Sequence, residues 1–319
     1  MNNDFKLTTP VLVIAFNRPE IVAELFRVLC EARPTKLFVV VDGPRRNIKS
    51  DIGKCKEVEK IVAAVDWECD LKTLFREENM GCSLSPSGAI SWFFSHVDEG
   101  IILEDDCIPN ISFFRFCQEL LEKYRDDQRI MMISGNDFGA GDQRESVDSY
   151  YFSWLNYTLG WATWKRAWTH FDIDMKLWPE IRDGGWLSRI FSKSQLDYWT
   201  VRFNMVYEKK MTTAWDYQWM FACLIQNGLS IRPKINLVRH IGCTVGATHS
   251  FGDDYLTSIP AQSMDFPLKH PQYVMVDYQM DELTFKRRYS MPLFQKIKKR
   301  MKVARLMLKK YLNKEDSLL

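Results

Sequence analysis

Gly100-Ile-Ile-Leu-Glu-Asp-Asp106 decides how the rest of the chain is read. Its first half is an unbroken apolar run, the pattern of a strand covered on both faces inside a parallel sheet. Its second half sets three carboxylates side by side where that strand ends. Adjacent like charges raise one another's pKa, so the triplet calls for a counter-charge. A hard divalent cation with oxygen ligands, Mn2+ or Mg2+, supplies one, commonly with a diphosphate completing its coordination. Such an ion also acts as a Lewis acid toward a leaving diphosphate. The alternative is a solvated acidic turn.

The segments before it repeat the pattern. Val11-Leu-Val-Ile-Ala15 and Leu37-Phe-Val-Val-Val-Asp42 read as buried strands, and Lys72-Thr-Leu-Phe75 as a third. Helical spacing follows each: Val22, Leu25, Phe26 and Leu29 after Pro19, a charged helix to about Val65, and Gly88 to His96 as part of another. Repeated strand–helix units with short links predict an α/β fold with a mostly parallel central sheet flanked by helices, binding its ligands beyond the carboxyl ends of the strands. Those ends carry Asn17 and Arg18, Asp42 and Gly43, and Glu104, Asp105 and Asp106, which points to one site. Further on, Phe113 to Tyr124 reads as a helix and Ile130-Met-Met-Ile-Ser134 as a strand running into Gly135-Asn136-Asp137. A Trp/Tyr-rich stretch (Tyr150 to Trp168), a helix after Trp215 and a strand-and-turn region (Leu229 to Thr248) complete this part.

Composition bounds the function. With 319 residues the chain holds one large α/β domain or two modest ones, and its 46% hydrophobic and 26% charged residues are those of a soluble globular protein. Eleven Trp, twelve Tyr and twenty Phe suit either a cleft that stacks on sugars or a large aromatic core. Eight cysteines form no CxxC pair and read as reduced core residues of a cytosolic protein. Neither a signal core nor a run of ~18 apolar residues is visible, so the chain is expected to be neither secreted nor membrane-spanning. Residues 281–319 hold twelve Lys/Arg against four Asp/Glu, a net +8, which leaves −6 on residues 1–280 of a chain whose total is +2. An acidic body argues against a nucleic-acid groove, and a basic tail argues for an anionic partner.

Three stretches together resemble a known family. Residues 9–35, from Thr9-Pro-Val-Leu-Val-Ile-Ala-Phe-Asn-Arg-Pro19 to Ala32-Arg33-Pro34, are similar to the opening of the N-acetylglucosaminyltransferase I family. So are Ile101-Ile-Leu-Glu-Asp-Asp-Cys-Ile-Pro-Asn-Ile-Ser-Phe-Phe-Arg-Phe116 and Leu159-Gly-Trp161. Asp42-Gly43-Pro44, the Glu-Asp-Asp triplet and Ala247-Thr248-His249 also resemble bacterial glycosyltransferases of the GT-A fold, a Rossmann-like architecture. The resemblance implies residues 1–110 as the nucleotide-sugar half and 111–255 as the acceptor-binding and catalytic half of one unit, with 256–319 as an extension. It implies Asp106 as the Mn2+ ligand, Glu104 and Asp105 supporting the ribose and first sugar, and Arg18 and Asp42 holding diphosphate and base of a UDP-sugar. A guanidinium suits phosphate oxygens, and a carboxylate suits the N3–H of uracil.

An inverting transfer needs a carboxylate base. The family carries one directly after a Trp at a helix start, as Asp216 stands in Trp215-Asp-Tyr-Gln-Trp219; the family's second acid is Tyr217 here. Asp137 is the reserve. Gly160-Trp161-Ala-Thr-Trp164 is a candidate turn and aromatic wall for a sugar, and Trp168 reads as core. His249 is a candidate for diphosphate or metal as neutral imidazole, and Asn79 and Gly81 for a turn near the base pocket.

From Pro292, Phe294, Ile297, Met301, Ala304 and Leu308 recur at helical steps among eight Lys/Arg. This C-terminal amphipathic helix, residues 292–312, suits an anionic membrane face, placing the chain at the cytoplasmic side of the cell membrane. The resulting expectation is transfer of a sugar, GlcNAc or a related hexose, to a hydroxyl of a cell-surface glycan or its lipid-linked precursor. The rivals are a sugar-nucleotide nucleotidyltransferase, whose Gly-rich loop with Lys is missing from Phe16-Asn-Arg-Pro19, and a non-catalytic, membrane-associated glycan-binding protein.

Overall fold

Alternate residues of three neighbouring strands separate into two cores. Strands β1 (Val11–Ala15), β2 (Lys36–Val41), β3 (Asp70–Phe75) and β4 (Glu99–Glu104) lie parallel in the order β3-β2-β1-β4. Val11, Val13, Leu37, Val39, Ile101 and Leu103 enter one cluster, while Leu12, Ile14, Phe38, Val40 and Ile102 enter the other. Period-2 side-chain geometry makes this division automatic once both faces are covered. The computed structural model describes residues 5–138, 146–242 and 259–289 of the chain.

Helices cover both faces. On the first lie α1 (Pro19–Ala32), α2 (Lys49–Ala63) and α4 (Ile111–Lys123); on the second lie α3 (Gly81–Phe94), α5 (Lys165–Trp168) and α8 (Asp216–Ile225). Between the last two come α6 (Trp178–Asp183) and α7 (Lys193–Tyr207). Helix α1 starts on Pro19, which needs no amide partner there, and α4 starts where Asn110 Oδ1 accepts from Ser112 N at 2.9 Å. Each fully buried Val, Leu or Ile on these strands and helices contributes about 1.5–3 kcal/mol, so the apolar layers stabilise the polar strand ends.

The sheet continues past β4 through β8 (Trp161–Trp164), β6 (Ile130–Ser134), β9 (Leu229–Pro233) and β7 (Tyr150–Ser153). Strand β8 is antiparallel to both neighbours, β6 and β9 are parallel, and β7 is antiparallel to β9. A separate ladder pairs β5 (Cys107–Pro109) antiparallel with β10 (Val238–His240). The expected mostly parallel central sheet flanked by helices is present, with antiparallel strands in its second half. The chain divides into a unit Met1–Asp281 and a unit Glu282–Leu319, and a last helix, Tyr278–Tyr289, crosses that division. No helix among the described residues is long and apolar enough to cross a membrane. The basic segment 292–312 lies outside the described residues.

One buried cation organises the second half. Arg232 of β9 is fully buried, its guanidinium 4.5 Å from the Tyr157 ring centre and 5.4 Å from that of Phe138. Its Nε donates to Asn136 O at 3.1 Å, and Asp137 and Asp281 supply opposite charge. Asp281 accepts from Ser153 Oγ and from Trp154 N, the latter at 2.9 Å. Burial pushes its carboxyl up to about 7, against the pull of those donors and of Arg232.

A carboxyl whose folded pKa lies above its unfolded value of 3.8 stabilises fully below that value and loses the contribution as pH rises through 7. Wild type should therefore lose up to about 4 kcal/mol of stability relative to Asp281→Asn between pH 4 and pH 7.5. Urea unfolding at a series of pH values measures this. A difference independent of pH would show that Asp281 is ionised throughout.

Candidate active site

The strand register brings three carboxyl ends level. Ile14 of β1 pairs with Glu104 of β4, and Ala15 pairs with Val41 of β2. Phe16 to Arg18, Asp42, and Asp105 with Asp106 therefore leave the sheet along one edge, and Asp105 N bonds back to Ile14 O at 3.0 Å. Arg18, just before α1, turns onto the acids. Its Nε lies 3.3 Å from Asp105 Oδ2, its Nη2 bonds Asp105 Oδ1, and the same Nη2 lies 3.0 Å from Asp106 Oδ2.

The three acids differ in charge state because their neighbours differ. Burial and the charges of Asp106, Asp105 and Asp216 push Glu104 up to about 8, against Arg18. Burial likewise raises Asp105, although Arg18 opposes it. For Asp106 burial acts upward too, but His240 and Arg18 outweigh it and hold the carboxyl below the usual range. Burial and the neighbouring acids thus keep Glu104 largely protonated at neutral pH. A divalent cation is the addition that this donor set favours.

The sequence reading missed His240. The β5–β10 ladder pairs it with Cys107, and Ile241 N donates to Asp106 O at 2.9 Å. Its Nε2 stands 3.6 Å from Asp106 Oδ2, an electrostatic contact longer than a hydrogen bond. Gly242 follows, and a Cβ there would press on that same oxygen and on the His240 ring, so a larger residue would make these side chains shift. By ligand type, the hard carboxylate of Asp106 with His240 beside it suits Mn2+ or Mg2+. Among the described residues no group of three His, Cys, Asp or Glu side chains is placed to hold a metal. The protein would therefore offer Asp106 with His240 beside it, leaving other positions to phosphate and water, as Mg2+-type sites commonly do.

Asp42 is held firmly. Its Oδ1 accepts from Gly43 N at 3.1 Å and Met80 N at 3.0 Å, and its Oδ2 from Asn79 Nδ2 at 2.9 Å. Met80 immediately precedes α3, so the carboxylate also faces a helix N-terminus. Burial raises its pKa against the Met80 amide and Arg76. The Met80 amide also reaches Oδ2 at 3.2 Å, so both oxygens are held by two N–H donors and keep one further acceptor direction each. The expected turn at Asn79 and Gly81 is thus the one that fixes Asp42.

A second missed residue is Asp51 of α2. It accepts from Asn17 Nδ2 at 2.7 Å and from Arg45 Nε at 2.6 Å and Nη2 at 3.0 Å. The Arg45 hydrogen bonds hold its pKa at about 2. Arg45 also lies 5.4 Å above the Phe16 ring centre, so the loops after β1 and β2 are bound together.

Asp216 is exposed at the first position of α8, close enough for its charge to raise Glu104. Beneath it Trp215 stacks on Trp161 at 5.9 Å, and Ala214 O accepts from Ser83 Oγ at 2.8 Å. The reserve residue Asp137 is buried near Arg232 instead. Trp161 and Trp164 are buried too, so their rings pack the core rather than presenting a wall to a sugar, and Trp168 is core as expected. His249 lies outside the described residues.

No family model matches this chain, and no curated protein matches it. Solved structures similar to it include a cytidylyltransferase from Leptospira borgpetersenii (12% identity, TM-score 0.32, 53% of this chain and 64% of that one). HddC from Yersinia pseudotuberculosis is similar at 9% identity and TM-score 0.31, over 50% of this chain and 78% of that one. Mouse xyloside xylosyltransferase 1 is similar at 9% identity and TM-score 0.35, over 81% of this chain and 95% of that one. At such scores the likeness carries no functional argument, and the site is read from its own residues.

Asp51→Ala strips Arg45 and Asn17 of their shared acceptor. It should lower the unfolding free energy by about 2–3 kcal/mol at pH 7, read from the urea midpoint. An unchanged midpoint would show that the clamp is dispensable.

Proposed function

We propose that the chain is a nucleotide-sugar-using enzyme, specifically an inverting, metal-dependent glycosyltransferase of GT-A type. The observation that carries the reading is the convergence of Arg18, Asp42 and Glu104-Asp105-Asp106 at three adjacent carboxyl ends of parallel strands. The donor is a UDP-sugar carrying GlcNAc or a related hexose. The acceptor is a hydroxyl of a cell-surface glycan or its lipid-linked precursor.

In this reading Asp42 takes the N3–H of uracil on Oδ2, oriented by Asn79 and Met80. Arg18 binds the diphosphate through its fork of N–H donors. Glu104 and Asp105 accept from ribose and sugar hydroxyls, and Asp106 with His240 beside it holds the divalent cation. When bound, the cation neutralises charge that develops on the leaving diphosphate. Asp216 takes the proton of the acceptor hydroxyl as its oxygen bonds to the anomeric carbon and the bond from that carbon to the diphosphate oxygen breaks. Its exposure on α8 leaves it open to an acceptor, whereas Asp137 is buried. The chain is further proposed to sit on the cytoplasmic face of the membrane through residues 292–312, on the strength of their basic, amphipathic sequence.

Assays of UDP-, GDP- and dTDP-sugars with and without Mn2+ test the reading. Mn2+-dependent release of UDP is expected, lost in Asp106→Asn. Asp216→Asn should slow transfer by about 10²- to 10⁴-fold while UDP and Mn2+ still bind. Full activity of Asp106→Asn under chelation would refute the assignment, and pyrophosphate release from a nucleoside triphosphate and a sugar phosphate would indicate nucleotidyl transfer instead. A chain ending at residue 290 should lose the co-sedimentation with anionic vesicles expected of the full chain; retention would remove the membrane role.

A further inference from the structure

Asp106 Oδ2 faces two nitrogen groups and one close glycine. Arg18 Nη2 lies 3.0 Å from it, His240 Nε2 lies 3.6 Å from it, and a Cβ at Gly242 would press on it. A hard divalent cation would bind this carboxylate at about 2.0–2.2 Å. A guanidinium and a divalent cation repel each other and cannot share that side of one oxygen at full strength. Arg18 is not confined to Asp106: its Nε and Nη2 also bond Asp105, and its side chain is 27% exposed. It emerges from the loop between β1 and α1, at the edge where Asp42 and the acids meet. Its head therefore has somewhere to go when a second anion arrives.

We infer that Arg18 couples the two ligands of the site: it competes with the divalent cation for Asp106 until a nucleoside diphosphate gives its guanidinium another partner. The inference rests on the proposed reading of this site and adds to it an order of exchange between side chain, cation and phosphate. A cation alone must displace Arg18 from a partly buried ion pair. A diphosphate alone meets an arginine already engaged by two carboxylates. Together, the diphosphate draws the guanidinium away and supplies oxygen ligands, so each ligand tightens the other. Linkage makes that gain reciprocal, with couplings of roughly 5- to 150-fold in characterised systems. Arg18 is thus a positioning residue for the cation as well as a contact for the phosphates.

The distinguishing readout is cation affinity without nucleotide. If Arg18 served only to bind phosphate or to hold the loop, its removal would leave that affinity unchanged or weaken it. If it competes, removal strengthens it. Mn2+ binding to the full chain, followed by the electron paramagnetic resonance signal of the free ion with and without UDP, makes the comparison. Wild type is expected to bind Mn2+ about tenfold or more tightly when UDP is saturating. Arg18→Ala should bind Mn2+ alone about fivefold more tightly than wild type, with the gain from UDP falling to about threefold or less. Arg18→Gln keeps the shape and a donor without the charge, and decides the matter by the same criterion if the alanine variant does not fold by circular dichroism. Asp106→Asn should abolish the binding in either background. Mn2+ binding that is no tighter in the Arg18 variants than in wild type overturns the coupling while leaving the cation site standing. Failure of every variant to bind Mn2+ even with UDP overturns both.

Discussion

Arg18 reaches back from the start of α1 to grip Asp105 and Asp106, and the arrangement of the strand-end cluster follows from that ion pair. Taking carboxylates out of water is costly unless a partner of opposite sign and good geometry meets them. Among the described residues the guanidinium of Arg18 is set against Glu104, Asp105, Asp106 and the nearby Asp216. Burial first, and then the neighbouring carboxylates, push Glu104 up to about 8, whereas His240 and Arg18 outweigh burial at Asp106 and hold it low. Such a charge imbalance is tolerable only on a scaffold that does not depend on it. The two apolar layers around β1, β2 and β4 provide that scaffold.

The rest of the cleft is built to limit motion. Asp51 binds the loop after β1 to the loop after β2, and Asp42 is fixed by the turn before α3. The stack of Trp161 and Trp215 holds the start of α8 against β8, the strand beside β4. Asp216 thus projects from a buried aromatic base although the residue itself is exposed. A site whose side chains are supported in this way loses little entropy when ligands arrive.

How much of this was legible in the sequence depends on the range of the interaction concerned. Unbroken runs such as Val11–Ala15 and Gly100–Leu103 announce buried strands because no polar residue interrupts them, and the acids follow by simple adjacency. Arg18 and Asp42 were within reach for the same reason, since each stands immediately past a strand. Only the part of α3 from Gly88 on was legible as helix, because Gly81-Cys-Ser-Leu-Ser-Pro-Ser is a weak helix former in isolation although α3 begins at Gly81. Tertiary burial of Ser83, Ser85 and Pro86 overrides that preference. His240 was not legible at all. Its relevance comes from an antiparallel pairing with Cys107, and no local pattern around Val238-Arg-His240 reports that partner. The Trp residues left both readings open, since composition does not distinguish rings that line a cleft from rings that fill a core, and burial of Trp161 and Trp164 decides for the core.

The β5–β10 ladder has a consequence for how the chain acquires its site. Glu104 to Asp106 end β4, which pairs with β1 through residues such as Val11 and Ile101. His240 and Gly242 arrive from the far side of the aromatic half, and Arg239 of the same strand binds Glu24 of α1 across 215 residues of chain. A folding intermediate with the first sheet formed would carry the acids without their last neighbour. Pairing β10 with β5 therefore ties the second half of the fold to the completion of the charge cluster, since a chain without that pairing would hold the acids without His240.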